Sequence, residues 1–220
     1  MKSVIAIDGP AGAGKSTIAR ILADRLGLLY LDTGAMYRAA AFQAKRKKIN
    51  LNNRKDLNKM CRHMALEFKT NHDGAKVFLG NRDITSLIRS PEMDMLASRI
   101  SSVQEVRDAM TALQRKIGAS GGIVAEGRDM GTVVFPDADH KLFITASLEI
   151  RSERRYRERL GKGERLSREE VKRELRKRDE QDRTRFLAPL RPASDAMIID
   201  TTSLGIEQVV EEIMTKIGNG

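Results

Sequence analysis

The sequence predicts an α/β fold in which helices cover a parallel β-sheet. Short apolar runs alternate with helical stretches along most of the 220 residues, and this alternation is typical of parallel strands joined by helices. A glycine-rich loop separates the first strand from the first helix. Two turn-forming pairs, Asp73-Gly74 and Gly80-Asn81, interrupt the alternation and predict a small antiparallel meander inserted into the parallel-sheet domain.

The charge balance of the chain is strongly basic. There are 40 Lys and Arg against 30 Asp and Glu, which gives a formal net charge of +10. Such an excess is compatible with a nucleic-acid partner. Sites for phosphorylated ligands also concentrate basic residues, and here these residues are densest between positions 151 and 185. We therefore do not expect a nucleic acid to be the main partner.

Cysteine content and the length of the first apolar run favour the cytoplasm as the compartment. Cys61 is the single cysteine, so the chain can form neither an internal disulfide nor a metal site built on cysteines. The apolar run at residues 3–7 is too short for the core of a signal peptide or for a membrane span. We expect a cytoplasmic protein that is not associated with membranes, and we expect a monomer.

The glycine-rich loop fits the phosphate-binding pattern G-x-x-x-x-G-K-[ST]. In this pattern backbone N–H groups enclose a polyphosphate, the lysine reaches the outer phosphates, and the next hydroxyl holds Mg²⁺. A buried strand before the loop, and apolar residues at helical spacing after it as far as a C-cap at Gly27, favour a ligand site over a plain turn. The predicted ATP-binding residues are Gly9, Pro10, Ala11, Gly12, Ala13, Gly14, Lys15, Ser16 and Thr17, with Ser16 on the metal.

A second strand and the inserted meander follow the first helix. Residues 28–31 form the strand, and Asp32-Thr33 then occupies an N-cap position, where the pair can serve as a cap alone or as part of a site. A helix with apolar positions at Leu57, Met60, Cys61 and Met64 precedes the meander, which is predicted at residues 67–70, 76–79 and 82–84. Ser90-Pro91 opens the next helix as its cap and first residue.

A polar quartet, Glu126-Gly127-Arg128-Asp129, follows the apolar strand at residues 122–125. Ligands collect at the carboxyl ends of strands in open parallel sheets, so this quartet is a candidate site. Two further strands, at residues 141–145 and 196–199, and a closing amphipathic helix complete the predicted scaffold.

Basic residues crowd one helix and the glycine-containing loop after it. Such a run is usually a solvated face, but an arginine-rich flap that closes over reacting phosphates has the same composition. Periodicity does not separate the two interpretations. The residues are Arg151, Arg154, Arg155, Arg157, Arg159, Lys162 and Arg165.

The next helix carries a stripe that changes from apolar to charged. Ser167 and Glu170 form a capping-box signature at its start. The stripe then runs through Val171, Leu175, Arg178, Asp182 and Arg185. A core-facing stripe that becomes charged should enter a polar cleft where the charges find partners. A surface ladder of ion pairs is the alternative.

Several stretches together resemble bacterial cytidylate kinases over essentially the whole chain. They are the phosphate loop, DTGAMYR at residues 32–38, the meander, EGRDMGTVVFPDA at residues 126–138, and KRDEQDRTR at residues 177–185. The run at 126–138 is far more specific than the phosphate loop. The resemblance implies a P-loop NTPase three-layer sandwich with a five-stranded parallel core sheet, a small antiparallel monophosphate-binding insertion and a short lid.

The same resemblance implies a kinase that transfers the γ-phosphate of ATP to CMP or dCMP, with Mg²⁺, in pyrimidine nucleotide metabolism. Contacts with the monophosphate are implied for Thr33, Arg38, Ser98, Arg107, Arg128, Asp129, Arg178, Asp182 and Arg185. The residues expected to act in catalysis are Lys15, Arg128, Arg154, Arg155, Arg178 and Arg185. Thr33 stands where many relatives have Ser, and Glu126 where Asp is frequent.

The resemblance also implies a division of labour along the chain. Residues 1–33, 104–150 and 167–220 would form the core, residues 34–103 the monophosphate-binding region and residues 151–166 the lid. Two alternatives stay open at this point. One is a related kinase that acts on UMP, shikimate or gluconate, and the other is a nucleotide-gated RNA-binding protein that uses the basic excess.

Overall fold

The computed structural model describes residues 3–71 and 74–218. Its strands are β1 (Val4–Asp8), β2 (Leu29–Asp32), β3 (Leu66–Asn71), β4 (Gly74–Leu79), β5 (Arg82–Asp83), β6 (Ile123–Glu126), β7 (His140–Thr145) and β8 (Met197–Asp200). Its helices are α1 (Lys15–Leu26), α2 (Thr33–Arg46), α3 (Arg54–Arg62), α4 (Pro91–Ile100), α5 (Gln104–Gly118), α6 (Leu148–Gly161), α7 (Arg168–Thr184) and α8 (Ile206–Gly218).

Two sheets organise these elements. A five-stranded parallel sheet has the order β2-β6-β1-β7-β8, and a separate antiparallel sheet has the order β3-β4-β5. The predicted α/β class, the parallel sheet and the antiparallel meander are therefore confirmed. The chain divides into two compact units, one of residues 29–121 and one of the segments before and after them. The division into core, monophosphate-binding region and lid stays a prediction.

In the unit built from the two terminal segments, β1 lies between β6 and β7. Ala6 faces Ala125 on one side and Lys141 on the other, in parallel register, and β7 pairs in turn with β8. Ile5, Ala6 and Ile7 of β1 are completely buried because a central parallel strand is covered on both faces. Gly27 ends α1 with a φ of 63°, as the C-cap prediction requires.

In the unit of residues 29–121, side-chain caps fix the starts of three helices, one of which is α3, capped by Asn53. Asp32 accepts a hydrogen bond from the backbone N–H of Ala35 at the start of α2. Ser90 accepts one from the N–H of Met93, and Pro91 is the first residue of α4, as predicted. The meander lies where the sequence predicts it, with a turn at Gly80. Asp73 of the predicted Asp73-Gly74 turn lies outside the described residues.

A short π-helical turn, Met130–Val134, follows β6 and has no counterpart in the sequence-based prediction. The helix predicted from Leu57, Met60, Cys61 and Met64 is α3, but it ends at Arg62, so Met64 lies buried beyond it. Along residues 3–71 and 74–218, none of the helices combines the length and the apolar character that a membrane crossing needs.

Candidate active site

The phosphate loop is shaped by glycines that lie against backbone. Gly9, Gly12 and Gly14 have backbone φ values of 144°, 76° and 92°, which residues other than glycine rarely adopt. A Cβ on Gly9 would lie 1.9 Å from the carbonyl oxygen of Ile144 in β7, and one on Gly12 would lie 2.9 Å from the carbonyl oxygen of Arg151. The loop is thus held closely between β7 and α6.

Lys15, the first residue of α1, is buried among other cations. Its Nζ donates a hydrogen bond of 2.7 Å to the carbonyl oxygen of Pro10. Burial and the positive charges of Arg128 and Arg178 lower the pKa of Lys15 to about 7, although Glu126 acts in the opposite direction. Cations that repel one another in a buried site favour binding of an anion, and phosphate is the anion this loop geometry fits.

Asp8 joins the end of β1 to the segment that carries Arg128 and Asp129. Its two carboxylate oxygens accept hydrogen bonds of 2.8 Å from the backbone N–H groups of Met130 and Gly131, in the π-helical turn. The side chain is almost fully buried, and this burial outweighs the hydrogen bonds and raises the pKa of Asp8 to about 6. Asp8 therefore positions the polar quartet after β6 relative to the phosphate loop.

The charged half of the α7 stripe lies inward rather than on a solvated face. Asp182 is 6% exposed, and its Oδ2 accepts a hydrogen bond of 2.8 Å from Nε of Arg128. Burial acts to raise the pKa of Asp182, but the charges of Arg128 and Arg178 outweigh it and hold that pKa below its ordinary value. The stripe therefore enters a polar site, as expected, and does not form a surface ladder.

Arg185 and Asp129 complete this group of charges. The Nη2 of Arg185 lies 3.9 Å from Oδ1 of Asp129, and its Nη1 lies 3.9 Å from Oδ1 of Asp182. The Nε of Arg185 donates to the carbonyl oxygen of Ala188, which fixes the side chain just after α7. The predicted residues Lys15, Arg128, Asp129, Arg178, Asp182 and Arg185 thus form one cluster beside the phosphate loop.

The arginines of α6 separate into different environments. Arg151 is buried and bonded to the phosphate loop and to α7, and Arg159 pairs with Glu164 and Glu174. Arg154 donates to the hydroxyl and carbonyl oxygens of Thr201, beside the loop, while Arg155 pairs with Glu158. This helix is neither a wholly solvated face nor a row of equivalent phosphate ligands.

The other predicted acceptor residues belong to the unit of residues 29–121. Arg38 and Arg89 both donate to Oδ2 of Asp32, over 3.1 and 3.2 Å. Arg107 is buried, with its guanidinium 5.8 Å from the ring centroid of Tyr37 and a hydrogen bond to the carbonyl oxygen of Ser101. Thr33 is buried at the first turn of α2, and Ser98 is half-buried in α4.

The residues near the loop fit a magnesium ion that arrives with nucleotide phosphates. Ser16 presents an exposed hydroxyl on the first turn of α1, and Glu126 ends the neighbouring strand with a buried carboxylate whose charge acts on Lys15. Oxygen donors of this kind suit Mg²⁺, which usually keeps waters and phosphate oxygens as its other ligands. Within the described residues, no cluster of three or more His, Cys, Asp or Glu could hold a metal alone.

Sequence reasoning missed several residues that shape the site. Asp8 contacts the π-helical turn after β6, Arg151 and Thr201 contact the phosphate loop, and Arg89 shares Asp32 with Arg38. Two of them carried a signal: Asp8 is a carboxylate at the carboxyl end of a central strand, and Arg151 belongs to the basic run on its helix. The partners of Arg151, Thr201 and Arg89 are distant in sequence, so no local pattern reveals these contacts.

A glycine loop between strand and helix, a buried lysine at the start of that helix and a cluster of arginines beside it define a P-loop phosphotransferase. A family model described as cytidylate kinase matches residues 5–219. The cytidylate kinase of Carboxydothermus hydrogenoformans is 50% identical over 214 residues, which are 97% of this chain and 96% of the relative. That of Shouchella clausii is 48% identical over 210 residues, 96% of this chain and 93% of the relative. The chain belongs to the cytidylate kinase family.

Solved structures support the same fold at much lower sequence identity. The shikimate kinase of Bacteroides thetaiotaomicron is similar to this chain with a TM-score of 0.52 and 12% identity, over 98% of both chains. The structural similarity supports a shared P-loop kinase fold. Because the sequence identity is so low, the similarity carries no information on the substrate.

Proposed function

We propose that this protein transfers the γ-phosphate of ATP to CMP or dCMP, giving ADP and CDP or dCDP, in pyrimidine nucleotide metabolism. The observation that carries the proposal is the buried cation cluster beside the phosphate loop, where burial and the charges of Arg128 and Arg178 lower the pKa of Lys15 to about 7. Membership of the cytidylate kinase family supports cytidylate as the acceptor.

The donor phosphates are assigned to the loop and Lys15. The loop N–H groups and the start of α1 favour the β- and γ-phosphates, because a helix N-terminus carries partial positive charge. Lys15 then exchanges its hydrogen bond to Pro10 for one to phosphate oxygen. Arg154 and Arg155, which donate to Thr201 and Glu158 in this structure, are proposed to bridge the transferring phosphate when the lid closes.

The acceptor is assigned to the charged group on α7 and after β6. A phosphate oxygen of the acceptor is already a nucleophile near neutral pH, so the protein has to position it and balance charge. Arg128, Arg178 and Arg185 supply the positive charge. We propose that Thr33, Arg38, Ser98 and Arg107 also take part in binding the monophosphate.

The carboxylates of the cluster give a reason to prefer cytosine. Asp129 and Asp182 cannot attract a phosphate, but a carboxylate accepts hydrogen bonds. The exocyclic amine of cytosine is a donor, whereas uracil presents a carbonyl oxygen at that position. We therefore expect CMP and dCMP to be better acceptors than UMP.

Magnesium is proposed as the metal, with the Ser16 hydroxyl as a ligand and Glu126 nearby. An ion held there would neutralise part of the charge on the nucleotide phosphates. We also propose that the kinase is monomeric and works in the cytoplasm. Light scattering coupled to gel filtration checks the first proposal, with 24.6 kDa expected.

The test is ADP formation from Mg²⁺-ATP with CMP, dCMP and UMP compared side by side, with shikimate and gluconate as further acceptors. We expect acceleration by CMP and dCMP, a weaker effect of UMP, and no effect of the other two. No acceleration by any of the three nucleotides would reject the proposal. Salt-sensitive RNA binding at physiological ionic strength, without acceptor-stimulated turnover, would favour the RNA-binding alternative.

A further inference from the structure

Arg151 bonds to three separate segments of the chain. Its Nε donates 2.9 Å to the carbonyl oxygen of Ala146, at the end of β7, and its Nη1 donates 3.2 Å to that of Ala11, in the phosphate loop. The same Nη1 lies 2.7 Å from Oδ2 of Asp179, on α7. One guanidinium therefore connects the core sheet, the donor loop and α7, although Arg151 belongs to α6.

The pair formed by Arg151 and Asp179 is buried and poorly suited to stabilise the fold alone. The two residues are 4% and 6% exposed. The second carboxylate oxygen of Asp179 is buried and finds no hydrogen-bond donor among the described residues. Removing two charges from water is unfavourable, and a buried pair with an incompletely satisfied partner recovers that free energy only in part. Such a pair is better explained by the geometry it fixes.

The pair fixes the position of the charged residues that lie next to Asp179 on α7. Arg178 precedes Asp179 directly, and Asp182, which holds Arg128, follows one turn later. A shift of α7 against the loop would therefore move the proposed acceptor-binding charges away from the donor phosphates. A misplacement of about 1 Å can lower the rate of a group transfer about 100-fold.

We propose that Arg151 and Asp179 are positioning residues that fix α7, with its acceptor-binding charges, relative to the phosphate loop. The inference rests on the proposed function, because it assigns donor and acceptor to these two segments. The loop itself has other contacts, from Lys15 to Pro10 and from Thr201 to the carbonyl oxygen of Ala13. Loss of the pair should therefore spare the shape of the loop and change its alignment with α7.

The test variant is the double substitution Arg151→Met with Asp179→Asn, which removes both charges and leaves neither buried without a partner. The matched control is Arg159→Met with Glu174→Gln, because that pair also joins α6 to α7 but Arg159 bonds to Glu164 and Glu174 instead of the loop. We expect kcat with ATP and CMP to fall about 10- to 100-fold in the test variant, while the Kd of ADP and of CMP, each measured alone, changes little. The control should keep kcat close to that of the wild type.

Several outcomes would overturn the inference. They are a kcat like that of the wild type, an equal loss in the control, or a loss of ADP affinity in proportion to kcat, which would mean that the pair only shapes the loop. The single variant Arg151→Lys keeps the charge but has only one side-chain nitrogen. Its thermal unfolding midpoint should therefore be close to that of the wild type, while its kcat stays low. A wild-type kcat in Arg151→Lys would also contradict the inference. A wild type that does not phosphorylate CMP would reject the proposed function instead.

Discussion

At the scale of single residues, the cations beside the phosphate loop determine what the site can do. Lys15 is buried at 6% exposure and close enough to Arg128 and Arg178 for their charges to lower its pKa. This arrangement is unfavourable without an anion and becomes favourable when phosphate is bound. Binding of a nucleotide phosphate would therefore reduce the electrostatic repulsion among these three cations.

Lys15 should take up a proton when ADP binds. Its pKa of about 7 leaves the amine mostly neutral at pH 8, and contact with phosphate raises that pKa, so nearly one proton is bound per nucleotide. Calorimetric titrations at pH 8 in buffers of different ionisation enthalpy measure this number. Lys15→Arg, whose guanidinium stays charged, should show no uptake. Equal proton uptake by the variant and the wild type would contradict the assignment to Lys15.

Arg178 should contribute to turnover much more than to donor binding. It acts electrostatically on both Lys15, assigned to the donor, and Asp182, assigned to the acceptor. We expect Arg178→Ala to lower kcat about 100- to 1,000-fold with ADP affinity retained, as for loss of one charge-stabilising group. Steady-state kinetics and ADP titration check this, with Arg176→Ala on the exposed side of α7 as control. Near-normal turnover of Arg178→Ala would remove the residue from the mechanism.

Sequence alone could name most of the charged site residues but not what each contacts. The spacing of Arg178, Asp182 and Arg185 on one helix face predicts a shared environment, and the structure places them together. For the arginines of α6, spacing does not predict the contact. Arg151 and Arg155 are both at helical spacing, but Arg151 bonds to the phosphate loop whereas Arg155 bonds to Glu158. The deciding partners, Ala11 and Asp179, come from distant segments that no local pattern reveals.

At the scale of elements, the sequence predicts every strand of the two sheets, because hydrophobic runs and turn pairs mark them directly. The π-helical turn at Met130–Val134 could not be predicted in this way. Five residues are too few for a periodic signal, and the turn depends on the side chain of Asp8, which lies more than 100 residues earlier. A buried tertiary contact decides its conformation.

Asp8→Asn should loosen the connection between β1 and this turn. An amide offers one acceptor oxygen where Asp8 offers two, and its NH₂ group would face a backbone N–H. We expect a loss of about 1–3 kcal/mol in the free energy of unfolding, as for a buried donor left without a partner, and a lower kcat because Arg128 and Asp129 move. Urea unfolding and steady-state kinetics measure the two effects. Unchanged stability and kcat would show that the turn forms independently of Asp8.

The effect of Asp8→Asn should also depend on pH. Burial raises the pKa of Asp8 from 3.8 to about 6, so the native protein binds more protons than the unfolded chain between these values. The contribution of this group to stability is therefore present below pH 3.8 and is lost as the pH rises through 6. The stability difference between wild type and variant should shrink from pH 4 to pH 7. A difference that grows over this range would contradict the raised pKa.

At the scale of the whole molecule, the net charge of +10 acts on substrates that are all anions. Attraction over distances beyond about 10 Å is screened at 0.1 M salt, whereas contacts inside a buried site are screened much less. We therefore expect added NaCl to lower kcat/KM for both ATP and CMP while kcat changes little, because salt weakens encounter more than chemistry. Initial rates at about 0.05 and 0.5 M NaCl test this.

An osmolality-matched series with a neutral sugar is the control, and a short RNA added at 0.15 M salt should not compete with CMP. A kcat that falls as steeply as kcat/KM, or effective competition by RNA, would show that the basic surface does more than attract nucleotides.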